Sequence, residues 1–157
     1  MNKRFLLFAF FLAALAVPSA FAQIEPMYEW GGIHVSRAEV TTFNVSLGDS
    51  CSTKATVTFE FDDKNGRTVF SHSYDIASGQ TFSLGVGEFD NSGRNGVTVD
   101  AFFVLPADLH LIVPCIKVAF PPGPCKASLI HLSAEKNDAA TGRSIVFGNN
   151  PTVVGGN

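Results

Sequence analysis

The segment from Lys54 to Ile76 constrains the fold more than any other part of the chain. Apolar and polar residues alternate along its first half, and the alternation resumes after the dipeptide Asn65-Gly66. A period of two is typical of a strand with one buried and one solvated face, and Asn-Gly tolerates the positive φ of a chain reversal. An isolated hairpin is marginally stable in water, so the remaining chain must supply a second layer. The predicted inward-facing residues are Ala55, Val57, Phe59, Phe61, Phe70, His72, Tyr74 and Ile76.

The first residues have the three parts of a secretory signal peptide. A basic start is followed by an uncharged apolar run over residues 5–17 and by the sequence Ala20-Phe21-Ala22. The apolar run is too short for a typical membrane span, although an uncleaved N-terminal anchor is the alternative interpretation. Cleavage between Ala22 and Gln23 would leave 135 of the 157 residues. We therefore expect an exported protein that is secreted or periplasmic.

The charge of the exported chain argues against nucleic acid as a partner. Loss of Lys3 and Arg4 leaves 9 basic and 14 acidic residues, a net charge near −5, without any basic cluster. Phosphate binding needs clustered Lys and Arg side chains. The most apolar later run, Leu109 to Phe120, is interrupted by Pro114 and Lys117, so no membrane span is expected after signal cleavage.

The three cysteines are candidates for one disulfide. Export favours disulfide formation, and an odd number leaves one free thiol. Cys51 and Cys125 each precede a predicted strand, which makes Cys51–Cys125 the first candidate and Cys115–Cys125 the alternative. A reactive or metal-binding role has no support, because no Cys-x-x-Cys or Cys/His spacing occurs.

Short alternating segments separated by turn signals continue along the chain and predict an all-β, two-layer antiparallel β-sandwich of about six to eight strands. A barrel is the alternative. Charged residues interrupt the alternation of Ile33–Val45, which an edge strand or a strand that bends partway would tolerate. Residues 106–124 are interpreted as two short edge strands or an ordered excursion. The predicted organisation is a helical signal peptide at 1–22, a lead-in segment at 23–32, the β-sandwich domain at 33–147, and a flexible C-terminal tail at 148–157.

Several turn motifs resemble those of a loose group of bacterial secreted immunoglobulin-like domains. The resemblance is carried by Cys51 before the hairpin, by the turn at Ile76 to Gln80, and by Asp138 to Arg143 near the end. Ser78 stands where that group commonly has proline, and residues 106–124 do not fit its pattern simply. The resemblance covers about 95 residues and implies an immunoglobulin-like sandwich. It implies no activity.

A search of the sequence for chemistry finds no catalytic set, cofactor motif or metal site. The loop at Asp62–Gly66 fails the calcium pattern at both ends, and Glu88–Gly93 fails it at the twelfth position, which is a strand valine. The sequence has neither a Gly-x-Ser-x-Gly elbow nor a dinucleotide fingerprint. Four histidines are spread too widely for a paired motif, although His72 and His131 could meet on adjacent strands. We therefore expect no enzyme, with a small hydrolase as the least favoured alternative.

Three hypotheses of function follow. The first is an exported non-catalytic β-sandwich with a binding, adhesion or envelope-interaction role, recognising an unknown protein or carbohydrate partner through loops such as Glu88–Gly96 and Leu105–Pro124. The second is a small carbohydrate-binding module that uses exposed aromatic side chains, for which the candidates are Tyr28, Trp30 and Phe89. The third is an assembly subunit that docks by edge-strand addition.

Overall fold

The computed structural model describes residues 26–48, 54–89, 98–120, 130–141, 143–145 and 151–154. The signal peptide with its cleavage site at Ala22 and Gln23 lies outside these residues, as do Cys51 and Cys125.

The described chain is all-β, as the alternating patterns predicted. It contains eleven strands, of which seven have four residues or more. In chain order they are β1 (Met27–Glu29), β2 (Ile33–His34), β3 (Glu39–Leu47), β4 (Ala55–Asp62), β5 (Thr68–Ile76), β6 (Thr81–Gly87), β7 (Ala101–Val104), β8 (Leu111–Ala119), β9 (Ile130–Asp138), β10 (Ser144–Ile145) and β11 (Thr152–Val153).

The strands form two sheets, and the predicted antiparallel sandwich is confirmed. The first sheet has the order β11-β1-β8-β4-β5, with β2 also paired to β8, and the second has the order β10-β9-β3-β6-β7. Every pair is antiparallel except β6 and β7, which run parallel. Near the centres of the two sheets, β3 pairs with β6 and β4 pairs with β8.

The hairpin of β4 and β5 supplies much of the core, as its alternation indicated. Phe61 pairs with Phe70, Phe59 with His72 and Val57 with Tyr74, so these residues share the inner face of the first sheet. From the second sheet, Phe43, Val45, Leu84 and Val86 are buried against this face. The apolar area removed from water in this layer is the main stabilising contribution.

Of the two interpretations of Ile33–Val45, the edge strand is wrong, and the chain instead bends partway along the segment. Only Ile33 and His34 pair with β8, and the chain then turns at Arg37 before it enters β3. β3 lies at the centre of the second sheet, between β9 and β6. The charged residues that interrupt the alternation mark the passage from one sheet to the other, because Arg37 lies in the turn and Glu39 begins the new strand.

The prediction for residues 106–124 is also wrong for the part that the structure describes. β8 runs unbroken through Pro114 and is central in the first sheet. The carbonyl oxygen of Pro114 accepts a hydrogen bond from Trp30 N at 3.0 Å, on the side away from β4. The nitrogen and carbonyl of a strand residue point to the same side, so the proline nitrogen faces the gap between β2 and β1. The proline therefore removes no hydrogen bond from the β4–β8 ladder.

The sandwich extends beyond its expected bounds at both ends. β1 lies in the predicted lead-in segment and β11 lies in the predicted tail, and the two pair with each other. Val154 N also donates to the carbonyl of Met27 at 2.8 Å. These residues close the side of the sandwich opposite to β5 and β7.

Candidate binding edge

A row of aromatic rings follows the open side of the sandwich, where β5 ends the first sheet and β6 and β7 end the second. We call it the aromatic edge, and its members are Phe70, His72, Tyr74, Phe82 and Phe103. Two ring pairs join the sheets: Phe70 with Phe103 and Tyr74 with Phe82, each with centroids 4.3 Å apart. All five residues are partly or largely accessible to solvent.

The core holds the two ring pairs in place from behind. Phe61, fully buried, stacks on Phe70 with centroids 5.2 Å apart and also contacts Phe103 at 6.0 Å. Phe59, also fully buried, contacts Tyr74 at 5.9 Å and Phe82 at 5.8 Å. Because aromatic contacts add to the free energy of area burial, these rings form a fixed surface. Partial burial also raises the pKa of the Tyr74 phenol by desolvation.

His72 lies between the two ring pairs. It is exposed between Phe70 and Tyr74, with ring centroids 6.4 and 4.8 Å away. On the facing sheet, Ala101 occupies the inner-face position between the levels of Phe103 and Phe82, since it pairs with Leu84 and precedes Phe103 by two residues. The exposed imidazole therefore has an aromatic pair on each side along the edge.

Two glycines set the position of β7, and thus of Phe103. A Cβ on Gly85 would lie 2.7 Å from Cδ2 of Phe102, and one on Gly87 would lie 3.2 Å from its Cζ. The ring of Phe102 therefore lies directly over the backbone of β6, on the outer face of the second sheet. Only residues without a side chain allow this close approach, which sequence alternation alone did not reveal.

A shallow depression of about 230 Å³ adjoins the Tyr74 end of the aromatic edge. Ligand pockets typically have volumes of about 300–1,000 Å³, so this depression is too small to enclose a typical small molecule. Both of its carboxylates serve the fold: Asp75 Oδ1 accepts from Thr56 Oγ1 at 3.0 Å, and Asp100 Oδ2 accepts from Ser83 N at 2.8 Å. The geometry therefore favours contact with an extended surface. The residues lining the depression are Asp75, Ile76, Gln80, Thr81, Phe82 and Asp100.

The buried carboxylate of Glu88 links three connecting segments at the C-terminal end of β6. Glu88, whose side chain is 5% exposed, contacts Arg37 Nε at 2.9 Å through Oε2 and His110 Nδ1 at 3.2 Å through Oε1. Arg37 comes from the turn before β3, and His110 directly precedes β8. Both Glu88 oxygens are thus used in fixing the loop bases. Among the described residues, no side-chain nucleophile contacts this cluster. We therefore interpret the cluster as structural.

The three aromatic residues proposed for carbohydrate binding do not form an exposed platform. Trp30 is 1% exposed and packs edge-on against Phe43, with centroids 5.6 Å apart. Tyr28 is half-buried on the inner face of β1, where burial raises the pKa of its phenol. Phe89 alone is well exposed, at 58%. A signal for the observed aromatic edge was present in the sequence, since Phe70, Tyr74, Phe82 and Phe103 all occupy predicted inward positions of strands.

The polar motifs of the sequence fold into turns. Asp63 Oδ1 accepts hydrogen bonds from Asn65 N at 2.8 Å and Arg67 N at 3.0 Å, and these bonds hold the pKa of the Asp63 carboxyl below its usual value. Asp138 Oδ1 accepts hydrogen bonds from the backbone N–H and the hydroxyl of Thr141 and from Ala140 N. These bonds lower the pKa of the Asp138 carboxyl. Gly66 has a φ of 75°, as the Asn-Gly turn required. These carboxylates stabilise chain reversals.

Cys115 is a free thiol in the described structure. It lies on β8 beside Lys117 and Glu60, whose side chains form an ion pair at 2.9 Å. Desolvation is the main cause that raises the pKa of the Cys115 thiol. A raised pKa suits a structural cysteine better than a nucleophile.

Among the described residues, no group of three His, Cys, Asp or Glu side chains could hold a metal ion. His72 and His131 lie on different sheets and do not form the suggested pair.

Comparisons with models of protein families, with curated proteins and with solved structures return no match. Within the described ranges, no helix is long and apolar enough to cross a membrane.

Proposed function

We propose that this chain is an exported, non-catalytic β-sandwich that binds a partner through the aromatic edge and the free side of β5. The observation that carries the proposal is the position of the half-exposed aromatic row on the longest free strand edge of the described structure. Aromatic side chains are enriched at the centres of protein interfaces, and extended partners commonly add a strand to a sheet edge. The binding, adhesion or envelope role then belongs to this edge rather than to the loops.

The lack of edge protection on β5 supports this proposal. β5 has nine residues and pairs only with β4 among the described strands. The other terminal strands of the two sheets have two to four residues. Proteins usually shield a long edge with Lys, Pro or a bulge, but β5 contains neither residue, and the only irregularity of its ladder lies at Phe61/Asp62 near its start. An unshielded edge of this length is suited to a binding role.

Export and a Cys51–Cys125 disulfide are part of the same proposal. The cross-strand pairs Leu47–Ile130 and Thr56–Ala119 fix the ends of the two segments that carry these cysteines at one end of the sandwich. A bridge between the segments would join the two sheets there. The signal peptide would deliver the chain to a compartment in which such a bridge persists.

Photocrosslinking in cells that export the full chain tests the binding edge. A benzophenone amino acid at Ser71 places the crosslinker on the exposed outer face of β5, and the same residue at Ser133, on the outer face of β9, is the control. We expect a discrete adduct of defined mass at Ser71 that is weaker or absent at Ser133. The F103A substitution, which removes one ring of the aromatic edge, should reduce its yield. Equal labelling at both positions, or no adduct at Ser71, would contradict the proposal.

A further inference from the structure

We propose that the partner of β5 is a second copy of this chain, added antiparallel across a two-fold axis at His72. This inference rests on the proposed function, because it names the occupant of the same edge. The two sheets would join into one continuous sheet, with the same surface used by both copies. Such isologous pairing is the commonest way for soluble proteins to dimerise.

The sequence of β5 is self-complementary about His72. In a two-fold antiparallel pair, each residue faces the residue at the mirrored distance from the axis, so Phe70 faces Tyr74 of the second copy and His72 faces itself. The inner faces would then carry ring against ring, at the Cβ separations at which cross-strand aromatic pairs stabilise a sheet. The axis would pass at His72, which lies between the two ring pairs.

The charges of β5 also allow this register. Asp75 is the only Asp, Glu, Lys or Arg residue of β5, and it would face Val69 of the second copy. Ser71 would face Ser73 on the outer face. No two carboxylates would therefore meet across the axis, whereas like charges directly opposite each other destabilise a strand pair.

Both described ends of the chain lie away from this edge. The described C-terminal residues pair with β1, at the far end of the first sheet from β5. The N-terminal residues of the described chain also lead into β1. Occupation of the edge by an unrelated extended peptide is the alternative outcome of the experiment.

A charge-swap experiment on the outer face of β5 tests the inference. Ser71 and Ser73 are exposed, so S71K/S73K and S71E/S73E variants should fold. Across the proposed axis each variant would place like charges opposite each other twice, and an equimolar mixture would place opposite charges together. Sedimentation equilibrium near pH 8 would measure the dissociation constants. S36K/S133K, which adds the same charge at exposed positions off β5, is the matched control.

We expect the protein and the S36K/S133K control to dimerise with a micromolar dissociation constant. Each charged variant should dimerise at least about tenfold more weakly, and the mixture should recover the affinity as a heterodimer. A monomer throughout the concentration range would overturn the inference, and so would a dimer that S71K/S73K does not weaken. If the protein is monomeric but still gives the Ser71 adduct in cells, the second copy is excluded while the binding edge stands. If that adduct is also absent, the proposed function fails as well.

Discussion

The ring of Phe70 lies 4.3 Å from that of Phe103, centroid to centroid, and so joins the last strand of one sheet to the last strand of the other. Phe61 contacts both rings from the core. The pair therefore links the free edge of β5 to the short parallel strand β7.

This contact predicts a measurable coupling between the two residues. Aromatic pairs contribute about 0.5–1.5 kcal/mol beyond their buried area, so a double-mutant cycle of F70A and F103A should give a coupling of about that size. Urea unfolding of the four proteins measures it. The control cycle pairs F70A with V153A on β11, at the opposite edge of the first sheet, and should be additive within about 0.5 kcal/mol. Additivity for Phe70 and Phe103 as well would contradict the observed contact.

Replacement of Gly85 by alanine should destabilise the protein. The new Cβ would lie 2.7 Å from the Phe102 ring, and overpacking of this kind costs about 1–3 kcal/mol. The measurement is the midpoint of thermal or urea unfolding. G31A is the matched control, because a Cβ at Gly31 meets nothing within 4 Å. The double variant G85A/F102A tests the cause. If G85A destabilises the F102A protein as much as it destabilises the parent, steric contact with the Phe102 ring is not the cause of the destabilisation.

Removal of the Glu88 carboxylate charge should also destabilise the fold. Hydrogen bonds to charged groups contribute about 1.5–3 kcal/mol, but Arg37 is 75% exposed and its contribution is screened. We therefore expect E88Q to lower the free energy of unfolding by about 1–2 kcal/mol, as measured in urea. The control is E60Q, which weakens the Glu60–Lys117 pair, whose carboxylate is more exposed than that of Glu88, and it should cost about 0.5 kcal/mol. An E88Q effect no larger than that of E60Q would show that the cluster has no special stabilising role.

Asp63 should make stability fall in acid. Its hydrogen bonds from the backbone of Arg67 and Asn65 lower the pKa of the carboxyl in the folded state. A lowered folded pKa stabilises the protein above the unfolded value of about 3.9, and this contribution is lost as the pH falls through the folded pKa. The D63N variant should be less stable than the parent at pH 7 and should lose less stability between about pH 5 and pH 2.

Unfolding free energies at several pH values test this dependence. D108N, which removes a carboxylate from an exposed loop, should change the acid dependence less than D63N does. A D63N curve parallel to that of the parent through this range would mean that the turn does not contribute to acid sensitivity.

The cysteines should separate into one free thiol and one bridged pair. Alkylation of the exported protein, unfolded without reductant, should add one label, and reduction should raise the number to three. The label should lie on Cys115 and should form slowly in the native state, because burial raises the pKa of that thiol. Intact mass spectrometry also tests whether the chain begins at Gln23. Three labels before reduction would contradict the Cys51–Cys125 bridge, and C115S should give none.

The sequence by itself determined the β class, the central hairpin and the turns. The alternation in β4 and β5 directly encodes which face of a strand is buried, since side chains alternate with a period of two. The Asn65-Gly66 turn follows from local backbone preference, and Gly66 has the positive φ that this turn requires. These features depend on residues close together in the chain, so local chemistry is sufficient to predict them.

Only the tertiary structure decided which strands are neighbours and which side of the sandwich is open. The interruption at Arg37 and Glu39 suggested an edge strand or a bend, and the chain in fact changes sheets there, so that β3 becomes central. Pro114 suggested a break, but its nitrogen faces a gap in the ladder. The aromatic edge brings together residues from three strands, and its position depends on Phe102 lying over Gly85. Such relationships arise from packing between distant segments, which no local pattern specifies.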